Sequence, residues 1–395
     1  MERALRQTFD EKPSLCLAFF SERYSSPDLV EGITLRVNAD IVAGCSTSGE
    51  IPAGYERESV NAFIIASDYM RFGIAVESNE ILSSGSEEIY RKFYERAVFD
   101  LQNKMLLQES KMVVPDKRED ITPDYGMIFL PGTDIETHPR ADEVVRNLRK
   151  HMGNLPLIGG TCGDDFKYEK GYVIYKDEFL EDHTLLILCR SDLKFSMAQT
   201  HGYSIREEFK ATQTRKHNLE MLNNKPASET YFGALNIPVV EISDLRDEIC
   251  ALNPLAINDD NTDNIQILFP MARGRGASDL VMSQTIPAGK KVYLMEADVE
   301  RSKSASLECF KAAFASSTIK DPRLGMMFSC VGRSTFYFGR AHEEIDEIRK
   351  RFKYTDIGGA YLYGTICGEN NYISEGTTST LLIGNDLLDR AVKED

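Results

Sequence analysis

The sequence predicts a two-domain α/β protein, and three observations support this prediction. The chain has 395 residues, which is longer than a domain with a single hydrophobic core usually is. Short apolar runs alternate with amphipathic helical stretches, which is the order expected of an α/β fold. A glycine-rich break follows an apolar run three times, as IVAGCSTSGEI at 41–51, LIGGTCGDD at 157–165 and DIGGAYLYGTICGE at 356–369. The predicted domains are residues 1–210 and 211–395.

The three breaks occupy the same place in a repeated order of elements. A strand-like run and a helix-like stretch precede each break, and a further apolar strand follows it. The likeness extends upstream for the last two breaks, so residues 70–192 and 290–386 are interpreted as copies of β-α-β-α-β-turn-β. In the second copy, KKVYLMEAD at 290–298 is taken as the first strand. The glycine-rich turns are placed at strand ends.

The predicted helices rest on apolar spacing. Ile89, Phe93, Ala97 and Leu101 recur every four residues and form one stripe. Residues 342–352 show a similar stripe. Between the copies, residues 216–235 predict a strand, an Asn-Asn turn and a helix, followed by a β-meander to residue 290. The polar stretch 205–218 predicts the boundary between the domains.

Composition excludes several classes of function. The net charge is −16, with 62 acidic and 46 basic residues, which argues against binding to nucleic acid or to anionic membranes. The N-terminus does not resemble a signal peptide, and no apolar run approaches the ~20 residues of a membrane span. A cytoplasmic protein is therefore expected. The eight cysteines are dispersed without C-x-x-C, so free, buried thiols are expected rather than disulfides.

The glycine breaks have two interpretations. Glycines at a strand end expose backbone N–H groups that bind an anion or a carboxylate, and acidic residues beside them accept hydrogen bonds from an ammonium group. Alternatively, the glycines form tight turns and the acids cap them. The acids concerned are Glu50, Asp164, Asp165 and Glu369. The functional interpretation gains weight if the three turns meet.

A fourth segment, FSCVGRSTFYFGR at 328–340, adds a basic group. Arg333 follows a predicted strand that ends at Cys330. A guanidinium at a strand end binds a carboxylate or phosphate in bidentate fashion. A structural arginine paired with a neighbouring acid is the alternative, and the sequence leaves both open.

These motifs resemble those of the FIST sensory domains. GCSTSGEI and IGGTCGDD, with LLILCRSDLKFSMAQTHGYSI, resemble the N-terminal half of the family. NKPASETYFGAL, NPLAI, FSCVGRS, HEEI and GGAYLYGTI resemble the C-terminal half. The resemblance covers residues 13–386. It implies a cytoplasmic signal-input module that binds small ligands such as amino acids between its halves. Some members resemble haem-containing nitric oxide sensors that regulate histidine kinases or cyclic-di-GMP enzymes.

The resemblance and the turns together give one candidate site. The predicted ligand-binding residues are Gly44, Cys45, Ser46, Thr47, Glu50, Gly159, Gly160, Asp164, Asp165, Cys330, Arg333, Tyr363 and Glu369. No kinase or cyclase segment is recognised, so the output is expected to pass to a separate protein, such as a histidine kinase or a cyclic-nucleotide enzyme. No cofactor and no metal are expected. In the alternative, haem b is bound through His201 or His183.

Two departures from the family pattern bear on this site. Gly364-Thr365-Ile366 stands where the family usually has Gly-Glu-Ile, so one acidic group is missing, and Glu369 is a candidate replacement. His201 stands where many relatives have Gln-Gly, and it is either a haem ligand or an ordinary strand histidine.

An enzyme is not expected. The sequence has no P-loop, no G-x-S-x-G elbow and no zinc-type spacing of cysteine and histidine. A hydrolase or transferase would rest on Ser46, Thr47 and the pair Asp164–Asp165 alone. MARGRGAS at 271–278 holds two arginines among glycines, which is weak evidence for a phosphate site.

Overall fold

Three parallel strand pairs organise the fold, and each pair is joined by a helix. The computed structural model describes residues 12–51, 58–108, 110–131, 141–239, 249–258, 264–273, 278–337, 342–370 and 372–391. It confirms the mixed α/β class built from repeated units. Residues 274–277, which include one arginine of MARGRGAS, lie outside the described residues. No helix in these ranges is both long and apolar enough to cross a bilayer.

The first unit contains one parallel pair and one antiparallel strand. Its elements are β1 (Leu15–Ser21), α1 (Pro27–Thr34), β2 (Val42–Thr47), β3 (Glu50–Ile51) and β4 (Val60–Ile65). Strands β1 and β2 are parallel, and β4 runs antiparallel to β1. The buried apolar side chains of β1 pack on both faces of the sheet, as expected for a strand covered on both sides.

The second unit repeats this plan and adds a strand and a long helix before it. Its elements are β5 (Met70–Ser78), α2 (Asn79–Leu82), α3 (Glu87–Leu107), β6 (Tyr125–Leu130), α4 (Ala141–Met152), β7 (Leu157–Thr161), β8 (Tyr172–Tyr175), β9 (Glu178–Glu181) and β10 (His183–Ser191). Phe93, Ala97 and Leu101 of the predicted stripe are buried on α3. Strands β6 and β7 are parallel, β10 is antiparallel to β6, and β5 is the edge strand.

The third unit begins with β11 (Leu193–His201), and the region that the sequence places between the two copies follows it. That region contains β12 (Tyr203–Arg215), β13 (Asn218–Leu222), β14 (Lys225–Pro226), α5 (Ala227–Leu235), α6 (Ile249–Leu252), β15 (Leu255–Asn258), β16 (Ile265–Leu268), β17 (Pro270–Arg273), β18 (Leu280–Met282) and β19 (Lys291–Ala297). These strands form a separate eight-stranded sheet. Asn223 and Asn224 adopt the left-handed conformation predicted for the turn. The polar stretch 205–218 lies mostly within β12.

The rest of the third unit follows this sheet. Its elements are α7 (Val299–Ala315), β20 (Pro322–Cys330), α8 (His342–Arg351), β21 (Asp356–Leu362), β22 (Gly364–Gly368) and β23 (Thr377–Leu387). Strands β20 and β21 are parallel, β23 is antiparallel to β20, and β11 pairs with β23 at the edge. The assignment of KKVYLMEAD as the first strand of this copy is therefore wrong. That segment is β19, which pairs with β12, because residues 202–298 separate β11 from the helix that follows it in the repeat.

The three units exchange strands in a cycle. The strand after each glycine break leaves its own sheet and pairs with the parallel pair of another unit: β3 with β21, β22 with β7, and β8 with β2. Each sheet is therefore completed by a neighbour. The predicted boundary at residue 210 stays a prediction, and it lies inside the continuous strand β12.

Three phenylalanines mark the centre of this arrangement. Phe19, Phe129 and Phe328 occupy the same register, opposite Cys45, Gly160 and Ala360 respectively. All three are fully buried, and their ring centroids are 5.5–5.9 Å apart in edge-to-face pairs. The register makes the three units equivalent about a pseudo-threefold axis through these rings.

The axis explains one set of glycines. Gly44, Gly159 and Gly359 are equivalent by register, and a Cβ on any of them would lie 1.8–2.2 Å from the carbonyl oxygen of the adjacent parallel strand. Gly159 and Gly359 also have φ of +134° and +148°. These positions therefore require glycine for close approach of the strands.

We expect Gly159→Ala to lower the free energy of unfolding by about 3 kcal/mol or more, because its methyl group overlaps backbone that is fixed by the sheet. The matched control is Gly233→Ala on α5, where nothing lies within 4 Å of the added Cβ. That change should raise stability by ~0.5–1 kcal/mol. Urea melts of both variants measure the difference. Equal stability of Gly159→Ala and the wild type would contradict the role of this glycine.

Candidate functional site

The three glycine-rich turns meet at the carboxyl ends of the parallel pairs. The N–H of Ser48 donates to the carbonyl of Tyr361 at 2.9 Å, that of Tyr363 to Thr161 at 3.0 Å, and that of Gly163 to Ser46 at 3.0 Å. Each of these bonds joins the turn of one unit to a strand of the next, and together they close a ring. We call this ring the axial junction.

In the axial junction, the backbone N–H groups that could bind an anion already donate to carbonyl oxygens of the protein. Besides the three donors of the ring, the N–H of Cys162 donates to Leu130 and that of Tyr361 to Gly49. Gly160 is equally enclosed, since a Cβ there would lie 1.9 Å from the carbonyl oxygen of Gly364. These contacts favour the architectural interpretation of Gly44, Gly159 and Gly160, and they leave the listed N–H groups no capacity for a ligand.

The side chains of the first turn are buried and bonded within the protein. The Ser46 hydroxyl accepts from the N–H of Tyr172 at 3.1 Å, and the Thr47 hydroxyl donates to Glu50. Cys45 is buried beside Cys162, and burial together with this second thiol raises the pKa of Cys45. All eight cysteines are free and buried, as the sequence predicted.

Glu50 lies at the end of this turn with no exposed surface. Burial raises the pKa of Glu50 to about 7, although hydrogen bonds from Ser59 and Thr47 oppose the rise. The Ser59 hydroxyl donates to one carboxylate oxygen at 2.6 Å. Glu50 is therefore a buried proton-binding group in the described structure.

Asp164 and Asp165 hold a loop rather than acting as a pair. Asp164 accepts three backbone N–H groups, from residues 168, 169 and 170, at 2.7–2.9 Å, and it accepts the hydroxyl of Tyr363. Tyr168 stacks on Tyr363 with ring centroids 4.5 Å apart. Asp165 accepts the hydroxyl of Ser21 at 2.7 Å. The two carboxylates thus have separate partners, which gives no basis for joint acid–base catalysis.

Arg333 is the centre of a buried ion-pair network. It has no exposed surface, and it donates to Glu344 at 3.1 Å, to the Ser302 carbonyl at 2.6 Å and to the Ser329 hydroxyl at 2.6 Å. Tyr361 donates to the same glutamate. The thiol of Cys330 contacts the carbonyl of Tyr363 at 3.3 Å. The structural alternative for Arg333 is therefore favoured, and Glu344 in the HEEI segment is the partner that the sequence analysis did not single out.

A separate cleft of about 780 Å³ lies between β11, α7 and the end of β22. Residues 197–201 form one wall, Ala312 and Ser316 of α7 another, and residues 367–370 and 264–265 the remainder. Of the predicted ligand-binding residues, Glu369 alone lines this cleft, together with the alternative haem ligand His201. The site predicted from the sequence is thus divided between a packed axial junction and an open cleft.

A network of hydroxyl and amide groups forms the floor of the cleft. The amide of Gln199 lies 3.1 Å from the hydroxyls of Thr365 and Ser379 and 3.3 Å from that of Thr377. Thr365 and Thr377 are 2.7 Å apart. Thr365 is the residue that replaces the glutamate of the family pattern, and here it takes part in a neutral network.

The rim of the cleft is fixed to the second unit. The guanidinium of Arg149 on α4 donates to the carbonyl oxygens of Gly368 and Asn370 at 2.8 Å. Burial lowers the pKa of Arg149 to about 10. Asn370 and the two α7 residues have no motif around them, and only their positions in the folded chain identify them. Gln199 lies within the family-like segment LLILCRSDLKFSMAQTHGYSI, but the sequence did not single it out as a site residue.

The residues near His201 do not fit haem ligation. Burial and the charges of Arg333 and Arg301 lower the pKa of His201, so the ring is neutral. Its Nδ1 accepts the N–H of Tyr203 at 3.2 Å, which leaves the proton on Nε2. A ligating histidine needs the opposite arrangement, with its second nitrogen donating outward. His183 has the suitable tautomer, with Nδ1 2.7 Å from the Glu181 carbonyl, but it does not line the cleft.

A second buried carboxylate lies where the eight-stranded sheet contacts the third unit. Gln284 donates to both oxygens of Glu375 at 3.0 and 3.1 Å. Burial raises the pKa of Glu375 to about 8, against the opposing hydrogen bonds from Gln284 and Ser283. This side chain is therefore protonated in the folded protein at neutral pH.

We expect the stability of the protein to fall as pH rises from about 4.5 to 8. In the folded state Glu375 stays protonated up to about pH 8 and Glu50 up to about pH 7, whereas both ionise near pH 4.5 in the unfolded state, so unfolding releases protons. One such group changes the free energy of unfolding by at most ~1.4 kcal/mol per pH unit. Glu375→Gln should reduce the slope, and Glu229→Gln, at an exposed site, should not. Urea melts between pH 5 and 8 measure it, and an unchanged slope in Glu375→Gln would contradict the assignment.

Comparison with known proteins identifies the family. The FIST N domain model matches residues 14–225, and the FIST C domain model matches residues 233–368. The uncharacterized protein MJ1623 of Methanocaldococcus jannaschii is 23% identical over 346 residues, which cover 84% of this chain and 62% of that relative. The chain thus spans about three-fifths of the length of the curated relative it matches. The two domain matches account for most of the sequence, and the chain belongs to the FIST family of sensory, signal-transduction domains.

Proposed function

We propose that this protein is a sensor that binds a small, amino-acid-like metabolite in the cleft between β11, α7 and β22. The observation that supports this choice is the composition of the cleft. Its residues come from both matched domains, with 197–201 in the first and 264–265, Ala312, Ser316 and 367–368 in the second. A ligand there contacts both domains at once, as a signal-input module requires.

The charges of the lining indicate which end of the ligand is recognised. Glu369 is exposed at the rim and makes no hydrogen bond or ion pair with the described residues, although it interacts electrostatically with Arg149, which does not line the cleft. The described lining contains no lysine or arginine. An ammonium group therefore finds a carboxylate, and the rest of the ligand meets amides, hydroxyls and the apolar surfaces of Met197, Ile265 and Ala312.

The contacts of the rim suggest how binding is relayed. The loop at 368–370 is held by Arg149, so a ligand on Glu369 pulls on a segment bonded to α4 of the second unit. Strand β11 continues through Gly202 into β12, which belongs to the eight-stranded sheet. Both movements reach surfaces distant from the cleft. The output is proposed to pass to a separate signalling protein, such as a histidine kinase or a cyclic-nucleotide enzyme.

A thermal-shift screen of free amino acids, amines and dicarboxylates tests the proposal. A ligand at 100 times its dissociation constant adds ~2.7 kcal/mol to the free energy of unfolding. Glu369→Gln should weaken binding of an ammonium-bearing ligand about tenfold, because a charge-assisted hydrogen bond is lost, without changing the melting temperature of the free protein. The exposed Glu229→Gln is the control. No response in the whole screen would reject the sensor site, and equal affinity in Glu369→Gln would place the ammonium group elsewhere.

Haem sensing of nitric oxide is the second candidate, because one histidine lies in the cleft. The hydrogen bond from Tyr203 to its Nδ1 disfavours iron at Nε2. Visible absorption after haem reconstitution and desalting distinguishes the two functions. We expect no retained Soret band. A band that His201→Ala abolishes would favour haem sensing over metabolite binding in the cleft. A band that His183→Ala abolishes would place the haem at β10.

A further inference from the structure

The cleft has a counterpart in the second unit, related by the pseudo-threefold axis. Phe129 lies opposite Leu185, which in turn lies opposite Val76 on the edge strand β5. In the third unit the corresponding series is Phe328, Ser379 and Gln199 on the edge strand β11. Val76 is therefore equivalent to Gln199, and Ile74 to Met197. Residues 74–76 line a groove against α3, just as 197–201 line the cleft against α7.

In the second unit, two side chains of α3 close the free edge of β5. Asp100 accepts the N–H of Ile74 at 2.9 Å, and Arg96 donates to the carbonyl of Val76 at 3.0 Å. An edge strand with unpaired N–H and C=O groups is a template for another strand, and proteins block such edges with charged side chains. Arg96 and Asp100 act in this way.

The two helices can be placed in register through their contacts with the strands. A Cβ on Gly73 would lie 2.3 Å from the carbonyl oxygen of Ala97, and the equivalent residue, Ser196, donates its hydroxyl to the carbonyl of Ala313 at 2.6 Å. Ala313 is thus equivalent to Ala97. It follows that Ala312 takes the place of Arg96 and Ser316 the place of Asp100.

Neither Ala312 nor Ser316 bonds the backbone groups at the free edge of β11. Alanine has no polar group, and the Ser316 hydroxyl is bonded to Ala313 and Ser196 instead. The thiol of Cys309 contacts the carbonyl oxygens of both Ala198 and Thr378. Both oxygens therefore lie between β11 and β23, so the N–H and C=O of Ala198 face β23. Because the direction of these groups alternates along a strand, those of residues 197 and 199 face the free edge. The N–H of Met197 and the C=O of Gln199 therefore face the cleft, and no described side chain bonds them.

We propose that the cleft takes a short extended peptide, whose main chain pairs with β11 as an additional strand. The five residues 197–201 offer ~16 Å of edge at ~3.3 Å per residue, enough for three to five peptide residues. A carbonyl of the peptide accepts the N–H of Met197, and an N–H of the peptide donates to the C=O of Gln199. In the second unit, Asp100 and Arg96 make the equivalent bonds to β5. Glu369 at the rim favours a basic side chain. This inference rests on the proposed sensor function and narrows its ligand from amino-acid-like molecules to peptides.

The test introduces into α7 the arginine and aspartate that block the strand edge in the second unit. Binding of an acetylated and amidated alanine–lysine pentapeptide is measured by calorimetry for the wild type, for the double variant Ala312→Arg/Ser316→Asp, and for Ala315→Arg. Residue 315 is exposed on the same helix and does not line the cleft. We expect the double variant to weaken binding at least tenfold and Ala315→Arg to leave it unchanged. Methylating one alternate set of peptide nitrogens should abolish binding, because those N–H groups pair with β11.

Hydrogen exchange gives a second measurement on the free protein. The amide of Met197 should exchange fast and that of Ile74 slowly, and the peptide should slow exchange at Met197. A protected Met197 amide without peptide would show that the chain itself covers this edge, and it would overturn the proposal. Peptide affinity that is unaffected by the double variant or by methylation would also overturn it. If free amino acids bind in a Glu369-dependent way and the peptide does not, the sensor function stands and the peptide inference fails.

Discussion

A ring of three backbone hydrogen bonds is the constraint on which the rest of the structure depends. Each bond runs from the turn of one unit to a strand of the next, from Ser48 to Tyr361, from Tyr363 to Thr161 and from Gly163 to Ser46. The strand that follows each turn then pairs with the same neighbour, so no sheet is complete without another unit. The phenylalanine cluster beneath the ring fixes the distance between the three sheets. Because the turns must reach this axis, packing requires glycine at residues 44, 159 and 359, and hydrogen bonds hold the side chains of Glu50, Asp164 and Asp165.

The pseudo-symmetry shows where the units have diverged. At equivalent positions the second unit has a capped edge and the third has an open cleft, and the difference comes down to a few side chains on α3 and α7. Arg333 and Glu344 form a fully buried ion pair, which hydrogen bonds with Ser302, Ser329 and Tyr361 help to stabilise. Positions near the axis are constrained by all three units, so a ligand site is more readily accommodated at the periphery.

The sequence allowed prediction of the units more readily than of their assembly. The stripe at Phe93, Ala97 and Leu101 and the Asn223–Asn224 turn depend on local physics, and both were predicted correctly. The strand KKVYLMEAD was assigned to the wrong sheet because pairing across residues 202–298 depends on packing that no local pattern records. The candidate site was drawn around glycines and acids for the same reason. Their convergence was anticipated as a possibility, but the use of their N–H groups by one another requires the register of three sheets.

The insertion in the third unit also adds residues to the cleft that the equivalent groove of the second unit lacks. In the second unit, β5 passes to its helix through residues 79–86, so strand and helix pack as one hairpin-like element and α3 caps its own strand. In the third unit the eight-stranded sheet is inserted between β11 and α7. This insertion supplies Asn264 and Ile265, which line the cleft, and the Asn264 amide donates to the side chain of Asn370 next to Glu369. A ligand that pairs with β11 requires this edge to lack charged blocking side chains, which is consistent with alanine and serine at positions 312 and 316.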